Sequence, residues 1–80
     1  MATANLDDLR EIVGEVVDLS DVTLSESAVI GQDVALDSQE MLRVLSRIES
    51  RYAFRFSIQD MAGLKTVGDL LATIERRTQA

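Results

Sequence analysis

The sequence predicts an all-α fold: a small four-helix bundle with three main helices, one short helix and a long loop between the first two. Three observations predict it. Apolar residues recur at helical spacing in three separate stretches, capping signatures stand at the starts of the proposed helices, and no second strand pattern exists to pair with the one short alternating segment. At 80 residues a single core only just offsets chain entropy, yet a hydrophobic fraction of 46% suffices to form one.

The first helix is read from Asn5 to Val17, where Leu6, Leu9, Val13, Val16 and Val17 fall three and four apart with Ile12 beside them. Asn5 is its N-cap, and Asp7 and Asp8 suit the positive end of the helix dipole. From Asp18 to Leu36 the period breaks, with Ser20, Asp21, Thr23, Ser25, Ser27, Gly31 and Asp33 scattered among Leu19, Val22, Leu24, Val29 and Ile30. A loop of this length, seeded with aliphatic residues, is expected to be pinned to the core.

The second helix begins at Ser38, whose side chain can cap its own helix start. Met41, Leu45, Ile48 and Tyr52 follow at offsets of four, three and four, flanked by Leu42 and Val44, and give a broad buried face. At about 100° per residue, the opposite face collects Gln39, Glu40, Arg43, Ser46, Arg47, Ser50 and Arg51, so three arginines rise along the outside. Those arginines either face a partner or pair locally, as Glu40 with Arg43.

Phe54, Phe56 and Ile58 alternate as in a strand but, lacking a partner strand, are read as an extended loop. Ser57 then opens a brief helical turn through Gln59, Asp60 and Met61, with Asp60 in the capping-box position and Gly63 ending the turn. Thr66 starts the last helix with Asp69 in the same relation. Val67, Leu70, Leu71 and Ile74 form its buried stripe, ahead of the charged Glu75, Arg76 and Arg77.

Composition narrows the function. Cysteine and histidine are both absent, which removes disulfides, thiolate nucleophiles, His-based metal sites and Ser/His catalysis, and no metal ligand set is expected. A net charge of −6, with one Tyr and two Phe, disfavours nucleic acid as a partner. No stretch approaches a membrane span, and the MATANLDDLR start lacks a signal-peptide pattern, so a cytoplasmic monomer is the expectation. The charge is unevenly placed. Residues 1–40 carry ten acids against Arg10 alone, giving −9, and residues 41–80 carry four acids against seven bases, giving +3. Either the two halves attract each other within the fold or they present a polarity to a partner.

The stretch Asp33, Val34, Ala35, Leu36, Asp37, Ser38, Gln39 resembles the D-x-G-x-D-S-L motif of the acyl carrier protein family, and the resemblance runs along nearly the whole chain. Glu49 and Tyr52 match the acid and aromatic that close the family's second helix, and the run Leu64 to Leu70 resembles the entry to its final helix. The resemblance implies a non-catalytic domain spanning 1–80, with Ser38 as the attachment point of a 4′-phosphopantetheine arm and Asp37 as its motif neighbour. The arm comes from coenzyme A through a Mg²⁺-dependent phosphopantetheinyl transferase and carries acyl groups as thioesters to partner enzymes (transferases, ligases or synthases) of fatty-acid, polyketide or related lipid synthesis. A serine that needs an external modifying enzyme and no internal base agrees with the absence of histidine.

Two departures from the family pattern stand beside the serine: Ala35 where the motif has Gly, and Gln39 where it has an apolar residue. The resemblance implies a second helix that is typically acidic and read by basic partner patches, whereas here Arg43, Arg47 and Arg51 outnumber Glu40 on that face. A specialised carrier is therefore expected, with Gln39, Glu40, Arg43 and Arg47 recognising its partners. Met41, Leu45, Ile58, Met61 and Ala62 are the residues that the resemblance implies as shelter for the acyl chain; ordinary core packing explains each of them more simply, and both roles are compatible. Two alternatives stay open: a carrier-like interaction module without the arm, in which Ser38 is only a cap, and an aminoacyl or peptidyl carrier on the same fold.

Overall fold

A computed structural model describes residues 5–20 and 22–78; the first four residues, Asp21 and the last two lie outside it. Four helices follow one another along the chain: α1 (Leu6–Gly14), α2 (Ser38–Tyr52), α3 (Ile58–Ala62) and α4 (Val67–Thr78). Among the described residues there is no strand, only two isolated bridges, Val29 with Thr66 and Ile30 with Val34.

Helix α1 starts where the sequence places it, with the Asn5 side chain accepting from the Asp8 N–H at 2.9 Å. It ends sooner than expected. The helix stops at Gly14, and Val16 and Val17 continue as turns whose side chains are half-buried. Apolar spacing persisted past the helix end because the same core receives both segments, so the pattern reported burial and not backbone geometry.

The core is built by three helices and the loop. Leu9, Ile12 and Val13 of α1 meet Val44, Leu45 and Ile48 of α2 and Val67, Leu70 and Ile74 of α4, while the loop adds Leu19, Leu24, Ala28 and Val34. The expected pinning of that loop takes a specific form. Ile30 N–H donates to Lys65 O at 2.9 Å, Val67 N–H to Ala28 O at 3.0 Å and Gly68 N–H to Glu26 O at 2.8 Å, so backbone bonds stitch the loop to the start of α4. At Gly68 a Cβ would lie only 3.0 Å from Glu26 O, so the close approach depends on glycine.

Helix α2 departs from the sequence reading in its cap and in one face residue. The cap is Asp37, not Ser38: its carboxylate accepts from the Glu40 N–H at 2.8 Å while the Glu40 side chain accepts from the Asp37 N–H at 3.0 Å, a reciprocal box. Leu42, expected to flank the buried face, is 63% exposed. At the other end Ala53 takes a left-handed conformation, φ 59°, to close the helix, a geometry that favours glycine. The Glu49 carboxylate then accepts from the Phe56 N–H at 2.8 Å, tying the outgoing segment back to the helix. Phe54 and Phe56 meet edge to face there, with centroids 4.9 Å apart.

The remaining capping signatures form as read. Ser57 and Asp60 make a capping box at α3, with Gly63 at its C-cap, and Thr66 and Asp69 exchange the same pair of bonds at α4. Backbone N–H groups of Ser57 hold the Asp60 carboxyl below its ordinary value, and those of Thr66 and Lys65 do the same for Asp69.

Replacing Ala53 by Gly removes the left-handed penalty and is expected to raise stability by about 1 kcal/mol, read as a higher urea midpoint with an unchanged slope. Because Asp60 and Asp69 titrate lower in the fold than in the unfolded chain, their contribution is complete above the ordinary carboxylate value of about 4 and is lost as pH falls through their folded values. The urea midpoint is therefore expected to drop on acidification below about pH 4, and to drop less steeply in Asp69→Asn.

Candidate functional site

The site is set by where α2 starts. With Asp37 as cap, Ser38 becomes the first residue of the helix, exposed, and its hydroxyl has no hydrogen-bond partner among the described residues. The N–H groups of Ser38 and Gln39 likewise have no partner there, since the Asp37 carboxylate takes the third one, of Glu40. A phosphate ester on Ser38 would therefore sit against two free backbone donors and the positive end of a 15-residue helix. The Asp37 carboxylate opposes an anion in charge, but one of its oxygens is already engaged by the Glu40 N–H. The residues present fit a phosphodiester-linked arm.

Beside the serine lies an open cleft of about 470 Å³. Asp37 and Ser38 stand at its rim with Met41, Leu42 and Leu45 of α2, and the opposite wall is Ile30, Gly31 and Leu36 of the loop with Met61 and Leu64 around α3. Gly31 has φ 93°, a conformation that lets the loop turn back at the cleft wall. Deeper in, Ile30, Leu36 and Met41 also border an enclosed apolar void of about 10 Å³ whose other walls include Val44, Val67 and Leu70. That void is the size of about one water molecule and holds nothing larger without side-chain movement.

Of the five residues expected to shelter an acyl chain, the structure brings Met41, Leu45 and Met61 to the cleft. Ile58, 83% exposed, and Ala62, also exposed, stand outside its lining. Of the five residues of helix α3, only Met61 reaches the cleft lining. Ile30, Leu36, Leu42 and Leu64 line the cleft and escaped the sequence reading. Leu42 stands on α2 beside Met41, but the placing of Ile30, Leu36 and Leu64 depends on the loop-to-α4 bonds, which join residues 35 or more apart and leave no periodic trace; for these three the apolar character of Leu36 and Leu64 next to the capping motifs was the only available signal.

The basic residues of α2 also divide. Arg51 reaches Glu11 at 3.0 Å and Asp8 at 3.4 Å, and Arg47 approaches Glu15 at 3.7 Å, so both turn toward α1. The local pairing of Glu40 with Arg43 does not form, because Glu40 is committed to the capping box. Arg43 makes no ion pair among the described residues, and Gln39 and Arg43 are exposed. Part of the charge asymmetry between the chain halves is thus used inside the fold, along the α1–α2 seam.

Comparison with known proteins agrees with this geometry. The family described as "Phosphopantetheine attachment site" matches residues 7–74. An acyl carrier protein of Rhodococcus erythropolis is 37% identical over 71 residues, covering 86% of this chain and 76% of its own. A meromycolate extension acyl carrier protein of Mycolicibacterium aurum is 37% identical over 70 residues, covering 85% and 70%. Among solved structures, the solution structure of a holo acyl carrier protein from Geobacter metallireducens superposes with a TM-score of 0.79 at 27% identity, covering 96% of this chain and 86% of that one. With that fold, an exposed serine at a helix start and a family match over most of its length, the chain belongs to the acyl carrier protein family, whose members carry phosphopantetheine as their prosthetic group and are carriers, not catalysts.

Proposed function

We propose that Ser38 is the attachment residue, and that residues 1–80 act as one cytoplasmic, monomeric carrier domain loaded by a phosphopantetheinyl transferase. The observation that carries this reading is the capping arrangement. Asp37 takes the role of cap that Ser38 would otherwise fill, which leaves the hydroxyl unengaged, exposed and next to two unpaired N–H groups. In the transfer, Ser38 Oγ attacks the phosphorus of coenzyme A nearest the pantetheine. A new P–O bond forms, the pyrophosphate bond breaks to release 3′,5′-ADP, and the hydroxyl proton passes to a base on the transferase. The bound arm supplies a terminal thiol that holds an acyl group as a thioester.

What this chain contributes afterwards is placement and shelter. The cleft beside Ser38 offers an apolar surface from Met41, Leu42, Leu45 and Met61, and an acyl chain of any length would have to displace Met41 or Leu36 to enter the void behind them. The names of the mycobacterial relatives, which speak of meromycolate extension, favour an acyl over an aminoacyl cargo. Asp37 serves the site by setting the first turn of α2 and by contributing a carboxylate for the transferase to recognise.

Partner recognition falls to Gln39, Glu40, Arg43 and Arg47. Arg43 is the strongest of them as a long-range determinant, since Glu40 is held in the cap and Arg47 lies near Glu15.

Incubation with coenzyme A, Mg²⁺ and a broad-specificity phosphopantetheinyl transferase is expected to add the mass of one phosphopantetheine to the wild type and none to Ser38→Ala. No gain in wild type, with a known carrier modified in the same tube, would return the chain to an interaction module without the arm. In the same assay Arg43→Glu is expected to change the transfer rate several-fold at low salt, with the difference shrinking as ionic strength rises and with helix content unchanged. An Arg43→Glu rate equal to wild type at every salt concentration would make that arginine an ordinary solvated charge.

A further inference from the structure

Helix α3 walls the cleft without an apolar anchor of its own. It is five residues long, Ile58, Gln59, Met61 and Ala62 are exposed, and its one buried residue is Asp60, 8% exposed. A helix this short does not stand by propensity, so something outside it must hold it in place. That hold comes from the last turn of α4. Arg76 Nη2 donates to Asp60 Oδ1 at 2.9 Å, and Arg77 Nε stands 3.6 Å from Asp60 Oδ2, which also accepts from the Ser57 N–H at 2.9 Å. Arg77 donates further to Arg55 O at 2.9 Å and lies 6.0 Å above the Phe54 ring, so the same turn grips the segment that leads into α3.

From this arrangement we propose that Asp60, Arg76 and Arg77 form an ion-pair clasp that holds α3 as a movable wall, and that the clasp sets how closely the cleft beside Ser38 shelters its cargo. Met61 of α3 and Leu64 just beyond it line that cleft, so a displacement of α3 moves the wall directly. The clasp is releasable. When α3 swings outward, Asp60 travels with it into water, still bonded to the Ser57 N–H, and both arginines, already substantially exposed, return their heads to water at little cost. Gly63, at the C-cap, and Ala53, with its left-handed backbone, stand at the two ends of the segment that would swing. The three residues are positioning residues. The part of the proposal concerning cargo rests on the reading of the cleft as the acyl site.

The test uses the full chain with Asp60→Asn, which keeps the size and the acceptor for the Ser57 N–H. It also uses Arg76→Gln, an exposed change whose one polar contact among the described residues is Asp60. Amide hydrogen exchange of the unloaded protein is expected to rise about five- to tenfold across residues 58–64 in both variants, with Val44, Leu45 and Ile48 unchanged. Loaded with saturated acyl chains of graded length, both variants are expected to lose their thioester to hydroxylamine several-fold faster than wild type. Unchanged exchange over 58–64, or an equal rise throughout α2 and α4, overturns the clasp. Faster exchange with unchanged thioester cleavage overturns its control of the cargo. Because the exchange is measured without the arm, a failure of Ser38 to be modified would be seen separately and would not imitate either result.

Discussion

The reciprocal bonds between Asp37 and Glu40 fix the first turn of α2, and the exposed serine, the free N–H groups and the cleft rim all follow from that turn. Two backbone donors are satisfied by two carboxylates, so the helix start is well defined without any contribution from Ser38. A hydroxyl that is to carry a phosphodiester, as proposed for Ser38, cannot also serve as a permanent cap, and the division of labour between neighbours removes that conflict. The same box withdraws Glu40 from the outer face of α2, and so alters which charges that face offers to a partner.

A second constraint is the scarcity of apolar material for four elements. Three helices and the long loop share one core, and α3 receives none of it. The loop behaves as a structural element because its backbone bonds to residues 65, 67 and 68 seat Ala28 and Val34 in the core. Helix α3 is instead held by charge, through a buried carboxylate and two arginines of α4. Apolar burial holds what must stay fixed around the core, while the element that borders the cleft is attached by contacts that water can replace.

The charge separation along the chain has a plain structural use. Arg47 and Arg51 answer Glu15, Glu11 and Asp8 across the α1–α2 seam, which neutralises part of the acidic first half. Such pairs lie at the surface, where solvent screening leaves little net attraction, so their effect is on the surface potential more than on stability. Outward on α2, beside the exposed Asp37 carboxylate, stand Gln39, Leu42 and Arg43, with Arg47 still half exposed next to Glu15. A partner that reads this face meets an apolar residue and arginines, in contrast to the acidic helix expected of the wider family.

The sequence by itself determined the helix order, the three main stripes and the N-terminal caps other than that of α2, because those features repeat at three and four residues and are decided by neighbours along the chain. It also carries the proposed attachment motif, since Asp37 and Ser38 are adjacent. It misjudged the end of α1 and the exposure of Leu42, where apolar spacing does not distinguish a helix turn from a packed loop or a core from a cleft rim. Tertiary structure alone decided the place of Ile30, Leu36 and Leu64 in the cleft, the partners of Arg47, Arg51, Arg76 and Arg77, and the exclusion of Ile58 and Ala62 from the cleft lining. Each of those depends on segments 16 to 43 residues apart coming together, and no local period records where a loop folds back or which of several acids an arginine will meet.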